Sequence, residues 1–442
     1  MPQAFKINSL ELSAILLALM LSVACVTSGL VYDSFIAVAL FLAIPLLWLS
    51  LRTENKIHPV FSKVWFFCVV IILSWVVLQW GVIEAIDVSA MQASIGRIIF
   101  VAIVGITALQ ISSSNSASQL FFRALLFFSI ILVFATFYTH TTLVKEGVDF
   151  YSHGFVNPNN AASYLGIMII ISIVNLHILI QRHARRASHS IIELIEKIKF
   201  RYLIQGVFFL FGCLFFVAAL VLTASRAGVI LSLAICAFLL FTLLLKRRRN
   251  FSIRKKLLSL FLLIMPVVTI LLVLLNQQGA ALINDISLQG LDGDVRPELF
   301  EAIIPMIEQQ PILGHGLGGF ASNFQLFRAE KMPVEGLYDK AHSSYLELAS
   351  EMGLPILVGL LLFISLMFVH FISSIIKYKS HYNMALMGLA ILLLVLFHSL
   401  IDFPLQIPAI FALTVSVLII NFAQCDRGYV LSKPNKKLVK PN

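Results

Sequence analysis

The 442 residues are 60% hydrophobic and only 12% charged, and their formal net charge is +10. A water-soluble protein of this length does not need so much apolar surface, so the composition indicates a polytopic membrane protein. The positive charge does not require a nucleic-acid partner, because its distribution along the chain has a simpler explanation, given below.

Twelve segments of the length needed to cross a bilayer, about 20 predominantly apolar residues, follow one another along the chain. Backbone groups in lipid must be hydrogen-bonded within the segment, so runs this long predict an all-α fold rather than a β-barrel. The first segment is predicted to be a retained helix, because only Lys6 precedes it and eleven further spans follow. The predicted spans are residues 10–29, 35–51, 60–80, 91–111, 119–140, 160–181, 202–223, 227–245, 257–275, 353–376, 384–401 and 404–424.

The basic residues predict the orientation of these spans. With a cytoplasmic N-terminus, 25 of the 32 lysines and arginines fall on the cytoplasmic side, including the run "KRRRNFSIRKK". Because cytoplasmic loops are enriched in lysine and arginine, both termini are predicted to be cytoplasmic. The net charge is then a signal of membrane topology, and the basic run an anchor at the inner leaflet.

The chain is predicted to be organised around one large outer loop. Helices 1 to 9 occupy residues 1–275, the loop residues 276–352, the last three helices residues 353–425, and a cytoplasmic tail residues 426–442. Within the loop, Asp294 and Pro297 are typical of a helix start. A helix there would lie on the outer membrane surface through the apolar stripe of Leu299, Phe300, Ile303, Ile304, Met306 and Ile307.

A smaller outer loop ends in the sequence "NPNNAA", Asn157 to Ala162, immediately before the sixth span. Asparagine and proline favour turns, and an asparagine side chain can cap a helix. We expect Asn159 or Asn160 to cap the sixth helix. No cysteine falls in an outer loop and no Cys or His pair has zinc-ligand spacing, so neither a structural disulfide nor a zinc site is expected.

Ionisable groups are almost absent from the middles of the spans and gather near the outer face. A transporter would carry them near the bilayer midplane, so this distribution favours a site at the membrane surface. Arg226 lies in a short outer hairpin, where it could anchor a helix end or bind phosphate. Together with Arg296 and Arg97, it could neutralise a diphosphate without a metal, and no Asp-rich metal motif is present.

His342 is the candidate general base of this site, because an unperturbed imidazole can accept a proton near neutral pH. It precedes Ser343, Ser344 and Tyr345 at the end of the largest outer loop. Glu347 or Glu351 could orient it, or could complement the N-terminal end of the following helix. His315 lies in a glycine-rich turn, where backbone geometry is a sufficient explanation for the sequence.

Five motifs together resemble the O-antigen ligase and O-antigen polymerase superfamily of bacterial inner-membrane glycosyltransferases. They cover about residues 150–410 in the family's order, and earlier residues match mainly in the number of spans. The motifs are "NPNNAA", "SRAG", "RPELFEAIIPMIEQQPILGHGLGGF", "AHSSYLELASEMGLP" and "HSLIDFPLQIPA".

The resemblance implies transfer of a glycan from undecaprenyl diphosphate to an acceptor hydroxyl at the periplasmic face, without a metal, cofactor or nucleotide sugar. His342 matches the family's proposed base, and Arg226 and Arg296 match its diphosphate-binding arginines. Arg97 is added because of its depth in the membrane and not by a motif. The supporting residues predicted around them are Asn157, Asn159, Ser225, Ser343, Tyr345 and Glu347.

Three acceptors remain open: a lipid-linked glycan for a polymerase, lipid A-core for a ligase, and a protein hydroxyl for an oligosaccharyltransferase. The ending "DFPLQIPA" slightly favours the polymerase. From a different class, a flippase or other transporter of lipid-linked glycans is the alternative function. It predicts that substitution of His342 leaves transport intact.

Overall fold

The computed structural model describes residues 7–53, 59–83, 87–143, 153–184, 200–247, 296–328, 338–377 and 381–432. These residues form fourteen α-helices and two short 3-10 turns, Ser28–Leu30 and Pro404–Gln406, and they contain no strand. The α-helices, in chain order, are α1 Ser9–Val26, α2 Asp33–Leu51, α3 Pro59–Val82, α4 Val88–Ser112, α5 Asn115–Leu143, α6 Pro158–Ala184, α7 Phe200–Leu222, α8 Arg226–Arg247, α9 Arg296–Gln309, α10 Phe320–Phe324, α11 Ser344–Met352, α12 Leu354–Lys377, α13 Tyr382–His398 and α14 Pro408–Ser432.

Ten of the described helices are long and apolar enough to cross a membrane, and α13 is a shorter apolar helix. These eleven helices fall on eleven of the twelve predicted spans, which confirms the all-α polytopic fold. The remaining predicted span, residues 257–275, lies outside the described residues.

The last two spans differ from the prediction at the point where they meet. Helix α13 ends at His398 instead of residue 401, and α14 begins at Pro408 instead of residue 404. Proline lacks an N–H and has φ preset near the helical value, so Pro408 favours a helix start at that residue. Residues 399–407 therefore form a connecting loop, which matters for the site below.

The spans differ in how much of their surface is buried by other helices. Helices α6 and α14 are the most buried of the spans, and α3 and α12 are the least buried. The main hydrophobic core includes the fully buried Phe100, Phe121 and Tyr164, contributed by α4, α5 and α6. The outer helices expose large apolar side chains such as Phe67 and Leu366, as lipid-facing helices do.

The large loop forms a second, smaller hydrophobic core at one end of the bundle. Leu299, Ile303 and Met306 of α9 are fully buried against Phe320 and other residues of this core. Leu299, Ile303 and Met306 therefore pack inside the protein, whereas the predicted stripe placed them on the membrane surface. Ile304 of the same stripe remains half exposed. The predicted cap Asp294 lies outside the described residues.

Two side chains of the outer helix α3 connect the bundle to this loop. Trp75 Nε1 donates to the Met352 carbonyl at 2.9 Å, and Gln79 Nε2 donates to the Glu351 carbonyl at 2.7 Å. Gly353 ends α11 with φ +81°, in the region open to glycine. We call the end of the bundle where these contacts lie the loop end.

Candidate functional site

His342 lies in the short segment that enters α11 at the loop end. Its φ is +48°, a left-handed conformation that side chains other than glycine adopt at a cost. The next residue, Ser343, returns to extended backbone and caps α11, since its Oγ accepts from the Leu346 N–H at 3.5 Å.

The His342 imidazole is half-buried, and its ring meets the ring of Phe403 edge-on with 5.1 Å between centroids. Its Nδ1 is buried and has no hydrogen-bond partner among the described residues. Burial lowers the pKa of His342 below its ordinary value, an effect that Asp402 opposes and Arg296 reinforces. The imidazole is therefore neutral near pH 7 and able to accept a proton.

Arg296 and Asp402 form an ion pair beside this ring. Arg296 Nη2 lies 4.0 Å from Asp402 Oδ2, and the carboxylate is nearly completely buried. The other carboxylate oxygen, Oδ1, accepts the Phe403 N–H at 2.7 Å. A buried carboxylate needs such compensation, since an isolated buried charge is costly. Arg296 keeps part of its guanidinium exposed and can contact a ligand.

Backbone and side-chain hydrogen bonds tie the loop that holds Asp402 to the start of α11. The Ser344 N–H donates to the carbonyls of Ser399 at 2.9 Å and Asp402 at 3.1 Å. Ser344 Oγ donates to Gln406 Oε1 at 2.6 Å, and Gln406 Nε2 donates back to the Ser344 carbonyl at 3.1 Å. Tyr345 Oη adds a bond to the Leu396 carbonyl at 3.0 Å. His342 and Asp402 are thus fixed relative to each other.

Arg226 begins α8 at the same end of the bundle. It is exposed and forms no ion pair with a described carboxylate. Ser225, just before it, accepts the Gly228 N–H at 3.2 Å and donates to Asn159 Oδ1 at 2.6 Å. The helix start that carries Arg226 is therefore attached to the start of α6.

The cap of α6 differs from the prediction. Helix α6 begins at Pro158, and Asn157 Oδ1 accepts the Asn159 N–H at 2.8 Å. Asn157 is the cap, instead of Asn159 or Asn160, because Pro158 cannot donate and fits the first helical position. This leaves the Asn159 amide oxygen available to receive the Ser225 hydroxyl.

His398 and Ser163, absent from the predicted site, complete this polar connection. His398 is fully buried at the end of α13, and its Nδ1 lies 2.5 Å from Ser163 Oγ on α6. Helix α8 packs closely against α6 beside this contact, since a Cβ at Gly228 would lie only 2.4 Å from the Ala162 Cβ, and 3.4 Å from His398 Cε1. The hydrogen bond joins α6 to α13, and the close approach at Gly228 brings α8 against both helices.

Neither candidate carboxylate on α11 orients His342 through a hydrogen bond. Glu347 accepts from Lys340 Nζ at 3.2 Å and from the Ala341 N–H at 3.0 Å. Glu351 instead accepts the Phe320 N–H at 3.1 Å. Glu347 therefore shapes the segment that precedes His342, and among the carboxylates that raise the pKa of His342 the largest effect comes from Asp402, ahead of Glu347 and Asp339.

Arg97 has a different environment from the other two arginines. Its Nη2 donates to Asp33 Oδ1 and to the Val31 carbonyl, both at 3.2 Å. It lines a cavity of about 310 Å³ that also contains Lys340, Glu351 and Gln406. Neither Arg296 nor Arg226 lines this cavity, so the three predicted arginines do not share one cavity among the described residues.

His315 has a structural role. Its Nε2 donates to the Met306 carbonyl near the end of α9 at 2.8 Å, and its own N–H donates to the Ser350 carbonyl at 2.8 Å. The ring also packs edge-on against Phe327. His315 thus joins α9 to α11 inside the small core. Within the described part of the chain, no group of three or more His, Cys, Asp or Glu side chains could hold a metal ion.

An all-α bundle with ten long apolar helices and a polar cluster at one end defines a multi-pass membrane protein. The model of the O-antigen ligase family matches residues 211–364, and this stretch includes Arg226, Arg296 and His342. The match confirms the resemblance for residues 211–364, which are similar to the O-antigen ligase family. It indicates a glycosyltransferase or ligase type of activity in surface polysaccharide synthesis. Comparison with curated proteins finds none that matches the chain.

Proposed function

We propose that the protein transfers a glycan from undecaprenyl diphosphate to an acceptor hydroxyl at the periplasmic face of the bacterial inner membrane. The observation that carries the proposal is the buried, unpartnered Nδ1 of His342 beside the Arg296–Asp402 pair. This arrangement combines a neutral base with a cation at the membrane boundary, which suits a donor that is half lipid and half sugar diphosphate.

The reaction is a single displacement at the anomeric carbon. The acceptor hydroxyl is a weak nucleophile until His342 takes its proton while the new glycosidic bond forms. The bond from the sugar to the diphosphate breaks, and its electron pair remains on the departing phosphate oxygen. Attack from the side opposite the diphosphate inverts the anomeric centre.

Arg296 and Arg226 bind the diphosphate and stabilise the charge that develops on it as it leaves. Guanidinium groups suit this role because they are permanently charged and bind phosphate oxygens in pairs. Arg226 is available because no described carboxylate pairs with it. Arg97 is left out of this diphosphate site, because Asp33 compensates its charge and neither Arg296 nor Arg226 lines the cavity that Arg97 lines.

Asp402 stabilises the imidazolium that His342 becomes during transfer. Its carboxylate favours the protonated ring, whereas burial and Arg296 favour the neutral ring before reaction. Asn157, Asn159 and Ser225 position Arg226 through the hydrogen bonds described above. Ser343, Tyr345 and Glu347 similarly position the segment that carries His342.

The periplasmic assignment is supported by the basic residues, most of which follow helix ends remote from the loop end. The same orientation gives cytoplasmic termini. The acceptor is a lipid-linked glycan, lipid A-core or a protein hydroxyl, and the product distinguishes among them.

The test is a glycan gel from a deletion strain complemented with wild type, His342→Ala or His381→Ala. His381 lies at the opposite end of the bundle and is the matched histidine control. We expect His342→Ala alone to abolish transfer, with normal membrane insertion. If the deletion strain makes lipid A-core that carries a single repeat unit, the protein is a polymerase. If it makes lipid A-core without repeat units and accumulates lipid-linked polymer, the protein is a ligase.

Unchanged lipopolysaccharide would direct the assay to exopolysaccharide or glycoprotein. Full glycan assembly by His342→Ala would refute the catalytic assignment. If the deletion strain lost translocation of the lipid-linked glycan while glycan transfer was unaffected, the flippase would be supported instead.

A further inference from the structure

A second cavity, of about 330 Å³, lies at the end of the bundle opposite the loop end. It is formed by the start of α5, the end of α6, the start of α13 and one residue each from α7 and α14. Two arginines line it, Arg123 and Arg182, together with the polar side chains of Asn175, Gln181 and Asn383. No aspartate or glutamate is among its lining residues.

The positive charge in this cavity is uncompensated among the described residues. Arg123 Nε is buried and has no hydrogen-bond partner there, and the like charges of Arg182 and Arg201 act on it. Since a half-buried cation beside other cations is unfavourable in isolation, an anion in the cavity would be bound favourably.

Neutral polar groups around the arginines are already ordered. Asn383 Nδ2 donates to Gln181 Oε1 at 2.9 Å, and Gln181 Nε2 is bonded to His177 at 2.7 Å. The side chains that carry these groups therefore do not have to lose much conformational freedom when a ligand binds.

The cavity also has an apolar wall, made by Phe122, Leu179, Phe209 and Met384. A wall of this kind beside two arginines matches a phosphate attached to an apolar body better than it matches a fully hydrated ion. Arg182 lies 25 residues along α6 from Asn157, about 37 Å at 1.5 Å per residue, so the cavity is separate from the proposed transfer site.

We propose that this cavity binds a phosphate group, and that Arg123 and Arg182 are its ligands. The two sources of such a group at this membrane face are the headgroup of an anionic phospholipid and a soluble phosphate. The apolar wall favours the phospholipid, and the basic residues of this face favour an anionic headgroup over a zwitterionic one.

The experiment uses the full-length protein in nanodiscs of phosphatidylcholine, with or without phosphatidylglycerol, and native mass spectrometry to count bound lipid. Arg123→Gln and Arg182→Gln are compared with Arg52→Gln, which removes an exposed arginine at the end of α2 outside the cavity. Arg182 is exposed, so its variant should fold even if Arg123→Gln does not. A hydrogen-bonded charge pair is strong enough that each cavity variant should lose about tenfold or more in phosphatidylglycerol binding.

A parallel arm adds inorganic phosphate to the phosphatidylcholine nanodiscs and measures the melting temperature. A melting temperature that rises with phosphatidylglycerol alone assigns the site to a lipid headgroup. A melting temperature that rises with inorganic phosphate, and does not rise in either cavity variant, assigns the site to a soluble anion. Equal phosphatidylglycerol binding by wild type, Arg182→Gln and Arg52→Gln, with no effect of inorganic phosphate, would overturn the proposal.

Discussion

Arg296 Nη2 and Asp402 Oδ2 lie 4.0 Å apart, although 105 residues separate them along the chain. The first comes from the start of α9 in the large loop and the second from the connection between α13 and α14. Burial is the largest influence on the pKa of His342, and Asp402 and Arg296 then act on it with opposite sign, so the pair adjusts how readily the ring accepts a proton.

The two partners should shift the pH dependence of transfer in opposite directions. Transfer requires neutral His342, so activity rises as pH increases through the pKa of that ring. Asp402→Asn removes the anion that raises this pKa and should move the acidic limb to lower pH. Arg296→Gln removes a cation that lowers it and should move the limb to higher pH.

The measurement is the pH profile of kcat/KM for each variant, from pH 5 to 8. Asp402→Asn should also lose about tenfold or more in kcat, because the imidazolium is less stabilised. Two profiles that coincide with the wild type would show that the pair acts only on the structure of the loop.

Arg226→Ala should lower glycan transfer by about a hundredfold, the usual effect of removing one group that stabilises transition-state charge. Its melting temperature should not change, because the side chain is exposed and forms no ion pair with a described carboxylate. Arg201→Ala, which removes an exposed arginine near the start of α7, is the control. A similar loss of glycan transfer in Arg226→Ala and Arg201→Ala would indicate a general effect of surface charge.

Gly353→Ala should destabilise the protein by about 2 kcal/mol or more, because φ is +81° and a side chain there is strained. A Cβ at this position would also lie 1.9 Å from the Ile312 carbonyl oxygen. Gly359→Ala in α12 meets nothing within 4 Å and should be neutral or stabilise by up to about 1 kcal/mol. Thermal unfolding in detergent measures the stability of both variants. Equal melting temperatures of Gly353→Ala and Gly359→Ala would contradict a left-handed turn at Gly353.

Glu351 should make the stability of the protein fall as pH rises from about 4.5 to 7. Burial, and then the neighbouring Glu347, raise the pKa of Glu351 from 4.5 to about 7. The folded state therefore binds more protons than the unfolded state in this window, and the free energy of unfolding decreases with increasing pH. Glu351→Gln keeps an acceptor for the Phe320 N–H and should flatten the melting temperature between pH 5 and 7. An unchanged slope would assign the pH dependence to other groups.

The spans were predictable because each one is a long apolar run whose identity does not depend on its neighbours. Their ends were less predictable. The hydrophobic residues Leu400 and Ile401 suggest that the helix continues. Instead, the Ser399 and Asp402 carbonyls accept hydrogen bonds from the Ser344 N–H, which is 55 and 58 positions away along the chain.

The same limit applies to the site. His342, Arg226 and Arg296 were recognisable as polar groups at the ends of helices, but the partners of each come from distant segments. Asp402 and His398 stand in the closing motif "HSLIDFPLQIPA", but nothing local connects His398 to Ser163, 235 positions away. Glu347 was the nearer carboxylate in sequence, yet its hydrogen bonds go to Lys340 and Ala341.

The backbone of His342 is left-handed, a conformation that favours glycine, whereas the proposed reaction needs a histidine at this position. Glycine adopts this conformation at lower cost than histidine, so it would relieve the turn while removing the base. Position 342 therefore combines the proposed base with a backbone conformation that costs free energy, so transfer and stability favour different residues there.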